Sequence, residues 1–148
     1  MEKDKLLGEQ ILNGNFYEAS KLVNGYDFDK FADFITELAF NKDNIIIYDF
    51  ICYLINQKED DRLHSLAYDL MCHPFCYIED AYKTGLHHAR KAIVLNPDEV
   101  GYKEMLLFLY NVPERLISKQ EATEIVQQIL SQDPENECVK GFLKHHFQ

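Results

Sequence analysis

Two stretches in the second half of the chain stop and restart a helix in the same way, and that repetition narrows the available folds more than any other feature. The first is Ala89-Arg90-Lys91-Ala92-Ile93-Val94-Leu95-Asn96-Pro97-Asp98-Glu99; the second is Glu124-Ile125-Val126-Gln127-Gln128-Ile129-Leu130-Ser131-Gln132-Asp133-Pro134-Glu135-Asn136. In each, an amphipathic run meets a polar step with a side-chain acceptor (Asn96, Asp133), a proline (Pro97, Pro134) and then acids. A helix N-terminus needs these things: an acceptor for its orphan amides, a residue with preset φ and no N–H to lose, and negative charge against the macrodipole. The pattern predicts Asn96 and Asp133 as N-caps and the prolines as first helical residues. A device used twice implies a repeated helix pair.

The rest of the chain also reads as helix. Apolar spacing predicts helices from Lys3 to Leu12, Phe16 to Val23 and onward from Asp27, the last carrying Phe28, Phe31, Ala32, Ile35, Leu38 and Ala39 on one face. Asn13-Gly14-Asn15 and Asn24-Gly25 are residues that accept the left-handed conformation at a helix end. Ile45 to Ile55 is apolar nearly all round except Asp49, which predicts a central helix covered on several sides. A helix beginning at Glu59-Asp60-Asp61 should run to Cys72, where Pro74 ends it, and a long one should follow from Phe75 to Leu95. Beyond Pro97, helices are expected over Asp98 to Tyr110, Ser118 to Leu130 and Pro134 to His146, with Ser118 and Glu121 at capping-box spacing. No linker interrupts the series, so residues 1–148 read as one all-helical domain. Its architecture is expected to be antiparallel helix pairs in a small right-handed solenoid or an irregular bundle.

Composition excludes several classes. With 47% hydrophobic and 27% charged residues and no low-complexity tract, the chain is globular rather than disordered. A formal net charge of -10 argues against binding a nucleic-acid backbone, which calls for excess Lys and Arg, and favours a basic protein partner. Neither a signal-peptide core nor an apolar run of membrane-spanning length is present, so a cytoplasmic protein is expected. The four cysteines, Cys52, Cys72, Cys76 and Cys138, then read as reduced and buried rather than bridged.

The half from about residue 75 to 148 resembles the tetratricopeptide repeat, a helix pair of about 34 residues with a terminal proline. Pro97 and Pro134 lie 37 residues apart. Lys103, Leu106, Leu107 and Tyr110 occupy the first-helix spacing, where Leu106 and Tyr110 match the pattern and Lys103 and Leu107 do not. Gly85, Ala89 and Ala92, then Ala122, Val126 and Ile129, fill the small or apolar second-helix positions, and the surplus length fits the loop at Asn111-Val112-Pro113. The resemblance is to a diverged member, and it implies protein or peptide binding rather than a reaction.

No chemistry-bearing motif competes with that reading. There is no glycine-framed nucleophile, phosphate-cradling loop or helical His-Glu-x-x-His, and no cofactor is implied. Cys72, His73 and Cys76, with Cys52 upstream and His87-His88 downstream, are the metal candidates, but they lack the two close ligand pairs of structural zinc sites. Cysteines at a helix end and a histidine at a helix crossing are ordinary packing choices, and His88 is read that way.

Charge placement says more. Glu59-Asp60-Asp61, Glu79-Asp80, Asp98-Glu99 and Glu135 are expected in first turns, offsetting helix dipoles without needing a partner. Asp29, Asp33 and Glu37 instead repeat at i, i+4 and i+8 along the solvent face of the third helix, extended by Asp27. Each like-charged neighbour pair costs an isolated helix about 0.2–0.5 kcal/mol. Either this is a plain solvated face, or Asp27, Asp29, Asp33 and Glu37 meet a cationic partner. The small, acidic, helical-repeat plan is similar to that of immunity proteins that neutralise polymorphic or contact-dependent bacterial toxins. That resemblance implies a basic toxin domain, such as a nuclease, as partner. The alternative is an adaptor, chaperone or peptide-sensing regulator with a groove near Tyr82, Lys103 and Tyr110; a metal-dependent enzyme at Cys72, His73 and Cys76 is the third class.

Overall fold

A computed structural model describes residues 2–146, which form nine helices and no strand. They are α1 (Glu2–Leu12), α2 (Phe16–Val23), α3 (Phe28–Lys42), α4 (Ile46–Gln57), α5 (Asp61–Cys72), α6 (Ala81–Leu95), α7 (Val100–Tyr110), α8 (Lys119–Gln132) and α9 (Glu137–His146). The all-helical class expected from the spacing is correct. No described helix is long and apolar enough to cross a membrane.

The central helix is α5 rather than α4. Around α5, His64, Leu66, Ala67, Tyr68, Leu70, Met71 and Cys72 are all buried, whereas α4 buries Ile47, Phe50 and Ile51 alone. Two apolar cores meet across it. Leu66, Ala67, Leu70 and Met71 join Phe31, Ile35, Phe50 and Phe75 on one side; Tyr68 and Cys72 join Ala89, Leu106, Ile125 and Phe142 on the other. Hydrophobicity alone misplaces the centre, because α5 alternates buried faces with enough polar residues to look like a surface helix.

Helix directions follow from end-to-end contacts. The start of α5 meets the end of α6 through Asn96 Nδ2 donating to Asp61 (3.3 Å), so the pair is antiparallel. Lys103 at the start of α7 donates to Gln132 at the end of α8 (3.0 Å), which makes that pair antiparallel too. Asn136 beside the start of α9 donates to Glu104 (2.8 Å), and Tyr110 at the end of α7 packs on Phe142 (5.6 Å between centroids), so α9 runs parallel to α7.

The repeated proline step is present, but it is a turn rather than a helix start. Asn96 and Asp133 are the C-terminal boundary residues of α6 and α8, both outside the helical region (φ -148, ψ 77 and φ -144, ψ 85), which a following proline disfavours. Glu99 N–H bonds to Asn96 O (3.2 Å) and Asn136 N–H to Asp133 O (3.1 Å), closing a four-residue turn in each case. The caps stand at the turns' ends: Glu99 accepts from Gly101 N–H (3.2 Å) and Asn136 from Val139 N–H (2.8 Å). Asp98, Glu99 and Glu135 therefore precede the helices rather than filling their first turns.

Two other boundaries move. Phe75 to Asp80 is a run of turns closed by bonds such as Ile78 N–H to Phe75 O (3.0 Å), and Asp80 is left-handed (φ 61), so α6 begins only at Ala81. Phe75 is fully buried and draws this segment onto the core. Glu79-Asp80 accordingly lies ahead of α6. At the end of α2, Asn24 is right-handed and the chain leaves through tight turns, Gly25 N–H to Leu22 O (3.2 Å) and Tyr26 N–H to Val23 O (2.9 Å). The Lys3 ammonium donates to Gly25 O across this turn, so a contact from α1 holds what a left-handed residue was expected to supply. Gly14 (φ 80) and Asp43 (φ 48) do end α1 and α3 in the left-handed region.

Candidate functional site

The α3 acids and the side of α5 facing them enclose an acidic cleft of about 290 Å³. Asp29, Asp33, Thr36, Ser65 and Asp69 contribute polar groups, above a floor that includes Ala32 and Leu66. Asp27, Asp29, Asp33 and Glu37 are all exposed, as the α3 spacing implies. They do not form one row against one surface. Asp29 and Asp33 face the α5 cleft, whereas Asp27, Asp33 and Glu37 border a second hollow with Lys3, Asp4 and Lys30. Asp33 stands on the ridge between the two.

Asp69 is a cleft residue that the sequence alone does not single out. Burial pushes its carboxyl above the usual range and the nearby His73 offsets that only in part. The one cation of the cleft, Arg62, is already engaged: it lies over Phe28 (4.6 Å from the ring centroid) and reaches Asp60 through Nη2 (3.3 Å). Asp60 also caps α5 by accepting from Arg62 N–H (2.7 Å). Burial would raise the Asp60 carboxyl, but the bonds from Arg62 outweigh it and hold the carboxyl below its ordinary value. Tyr102 donates to Asp61 (2.6 Å) at the same edge, and burial followed by that bond pushes its phenol upward. Among the described residues, Asp29, Asp33 and Asp69 have no cation within ion-pair distance. The signal for Asp69 was its register on α5: it falls on the same side as Arg62, Ser65 and Leu66.

The proposed groove residues separate. Lys103 lines a cleft of about 300 Å³ between α6, α7 and α8, with Arg90, Ile93, Val94, Leu106, Glu121 and Ile125 among its neighbours. Tyr82 is not in it and packs on Phe108 (6.2 Å between centroids). Tyr110 is buried against Phe142, so it belongs to the core rather than to a groove wall. Arg90 and Glu121 form a two-pronged ion pair across this cleft (2.7 and 3.1 Å). Ser118 caps α8 by accepting from Glu121 N–H (3.0 Å), but the Glu121 carboxylate goes to Arg90 instead of completing a capping box.

Cys72, His73 and Cys76 do not converge. Cys72 is buried against α6, where burial pushes its thiol up to about 12, while His73 and Cys76 are exposed; Cys138 is exposed and Cys52 half-buried, so of the four cysteines expected in the interior only Cys72 lies there. Among the described residues, no group of three or more His, Cys, Asp or Glu side chains is placed to hold a metal ion.

Two of the buried polar residues among those described, His64 and His88, form an arrangement only half legible in the sequence. His88, expected at a helix crossing, is there, and its partner is His64, with an Nδ1···Nδ1 distance of 2.9 Å. His64 Nε2 lies 2.7 Å from Glu59, and His88 Nε2 lies 2.8 Å from the Tyr48 hydroxyl. Glu59 is thus the partner of a buried histidine, not a free first-turn acid. The bond from His64 lowers its carboxyl against an opposing effect of burial, and the nearby Lys91 and His87 lower it further. Burial first, then the neighbouring His64 and His87, brings His88 down to about 4. The missed sign was spacing: His64, Ala67, Tyr68 and Met71 share the inward side of α5.

No family model matches this chain, and no curated protein sequence or solved structure matches it.

Proposed function

We propose that this chain is an acidic helical binding module that captures a basic protein partner and performs no reaction of its own. Its sharpest form is a cytoplasmic, tetratricopeptide-like immunity protein that neutralises a basic toxin domain. One observation carries the reading: the α3–α5 cleft holds three carboxylates, Asp29, Asp33 and Asp69, without a cation of their own, while its single arginine is committed to Asp60. A partner's lysine or arginine supplies the missing charge, and a net charge of -10 steers such a partner inward.

The test is to co-express the chain with the C-terminal domain of the protein encoded immediately upstream and to follow growth, complex formation and association rate. Growth rescue and a complex are expected. The variant Asp29→Lys/Asp33→Lys/Glu37→Lys should associate at least about 10-fold more slowly, with thermal unfolding nearly unchanged. Unaltered association kinetics would remove α3 from the interface.

A second reading is favoured by the α6–α7–α8 cleft, where Val94 is 76% exposed beside Ile93, Leu106 and Ile125. That surface suits an adaptor holding a partner's apolar helix or peptide. Binding there should persist as salt is raised, whereas binding in the α3–α5 cleft should weaken.

A further inference from the structure

The Tyr48–His88–His64–Glu59 chain ties α4, α5 and α6 together, and its hydrogen count is set by geometry. Glu59 accepts from His64 Nε2–H, which leaves His64 Nδ1 as the acceptor of the neutral ring. At 2.9 Å, one hydrogen fits between the two Nδ1 atoms, so His88 Nδ1–H donates it. His88 Nε2 is then bare and accepts from the Tyr48 hydroxyl. Both rings are buried, at 3% and 5% exposure, and every polar atom of both has a partner.

One added proton is tolerated, because His64 can carry both hydrogens beside Glu59 while His88 donates from Nε2 to Tyr48. A second is not. It would set Nδ1–H against Nδ1–H and place a second cation in the interior with no carboxylate to meet it. The groups around the pair supply none: Glu59 in the α4–α5 connection is already used, His87 and Lys91 on α6 are basic, and on α4 Asp49 bears on Tyr48, which also has Cys52 beside it.

We propose that the His64–His88 bridge is an acid-sensitive latch: it closes the α4–α5–α6 junction near neutral pH, and taking up the second proton opens it. The sign follows from linkage. His88 is held below its solvent-exposed value, so an open form that solvates the ring binds more protons. The closed form is fully favoured above about pH 6.5 and loses that advantage as pH falls towards about 4. Between about pH 7.5 and 4.5 the opening constant rises roughly 70-fold from this ring alone.

Hydrogen exchange on the full chain, corrected for intrinsic rates, reads this directly, with amides of α7 to α9 as internal reference. Wild-type protein should lose roughly 70-fold protection at α4 to α6 relative to that reference between the two pH values. In His88→Gln, whose amide can still donate to His64 and accept from Tyr48, the pH-dependent loss should shrink to a few-fold. Imidazole ¹⁵N shifts of the wild type give an answer even if that variant does not fold. Neutral His88 at pH 7.5, protonated on Nδ1 and becoming doubly protonated only as α4–α6 protection falls, supports the latch. Titration of His88 near its ordinary value with protection retained, or an undiminished loss in His88→Gln, overturns it.

Discussion

Gly85 offers the most direct test of how α5 and α6 are joined. A Cβ added there would lie 2.6 Å from Cys72 Sγ, about 0.8–1 Å inside ordinary contact, and Cys72 is 2% exposed. Forcing a methyl group into a contact this close costs about 2–3 kcal/mol, the upper part of the usual overpacking range, while replacing glycine by alanine inside a helix returns about 0.8–1 kcal/mol. Gly85→Ala should therefore destabilise the protein by about 1–2 kcal/mol. Removing the sulfur reverses the sign. The next atoms, Tyr68 Cδ2 at 3.6 Å and Met71 Cβ at 3.8 Å, are at ordinary contact distance, so in a Cys72→Ala background only the helix-propensity gain of about 0.8–1 kcal/mol remains. The cycle should give a coupling of about 2–3 kcal/mol. Urea unfolding of the four proteins, followed by circular dichroism, measures it; at a slope of about 2 kcal/mol/M the midpoint falls by roughly 0.5–1 M in one background and rises by roughly 0.5 M in the other. An equal effect of Gly85→Ala in both backgrounds would show that the sulfur is not what selects glycine. A neutral effect in the wild-type background would show that Cys72 turns aside freely.

The position of the α9 cap separates the turn seen here from the helix start suggested by the proline step. Asn136→Ala should cost about 1–2 kcal/mol, since its buried side chain caps Val139 N–H, and Asp133→Ala should cost clearly less; the reverse order in urea unfolding would restore Asp133 as the cap. Thiol reactivity should follow burial, because thiolate is the reacting form. Alkylation of native protein, read by mass spectrometry, should modify Cys76 and Cys138 first, half-buried Cys52 later and Cys72 only on unfolding; matching rates at Cys72 and Cys76 would contradict the packing of α5 on α6.

Helices were legible where one face is apolar and the ends carry local signals. The spacing of Phe31, Ile35 and Ala39 placed α3, and Ser118 placed the start of α8, because stripe and cap both act within a few residues. The proline steps were legible as interruptions but not as turns. An acceptor followed by proline and acids satisfies a helix N-terminus and a turn equally well, and the choice depends on which later side chain, Glu99 or Asn136, reaches an amide. The α3 acids were visible as a row. Their division between two hollows was not, since the α5 wall that contributes Asp69 comes from tertiary packing. Tyr110 fits a repeat consensus, but a consensus aromatic can fill a core as readily as a groove, and here α9 covers it.

These features converge on α5. It walls both apolar cores, contributes Asp69 to the acidic cleft, packs on α6 where Gly85 faces Cys72, and supplies His64 to the buried imidazole pair. Small residues at Gly85, Ala89 and Ala92 let α6 approach closely, and His64 and His88 are left only 3% and 5% exposed, so a second charge on the histidines would be poorly solvated. The same tight joint therefore makes the junction both rigid and sensitive to acid. If α6 were held farther away, His88 could be hydrated when charged and its proton affinity would return towards the ordinary range. Substitutions that loosen the joint, Gly85→Ala among them, should thus raise the His88 midpoint as they lower stability, a correlation that independent packing and titration would not produce.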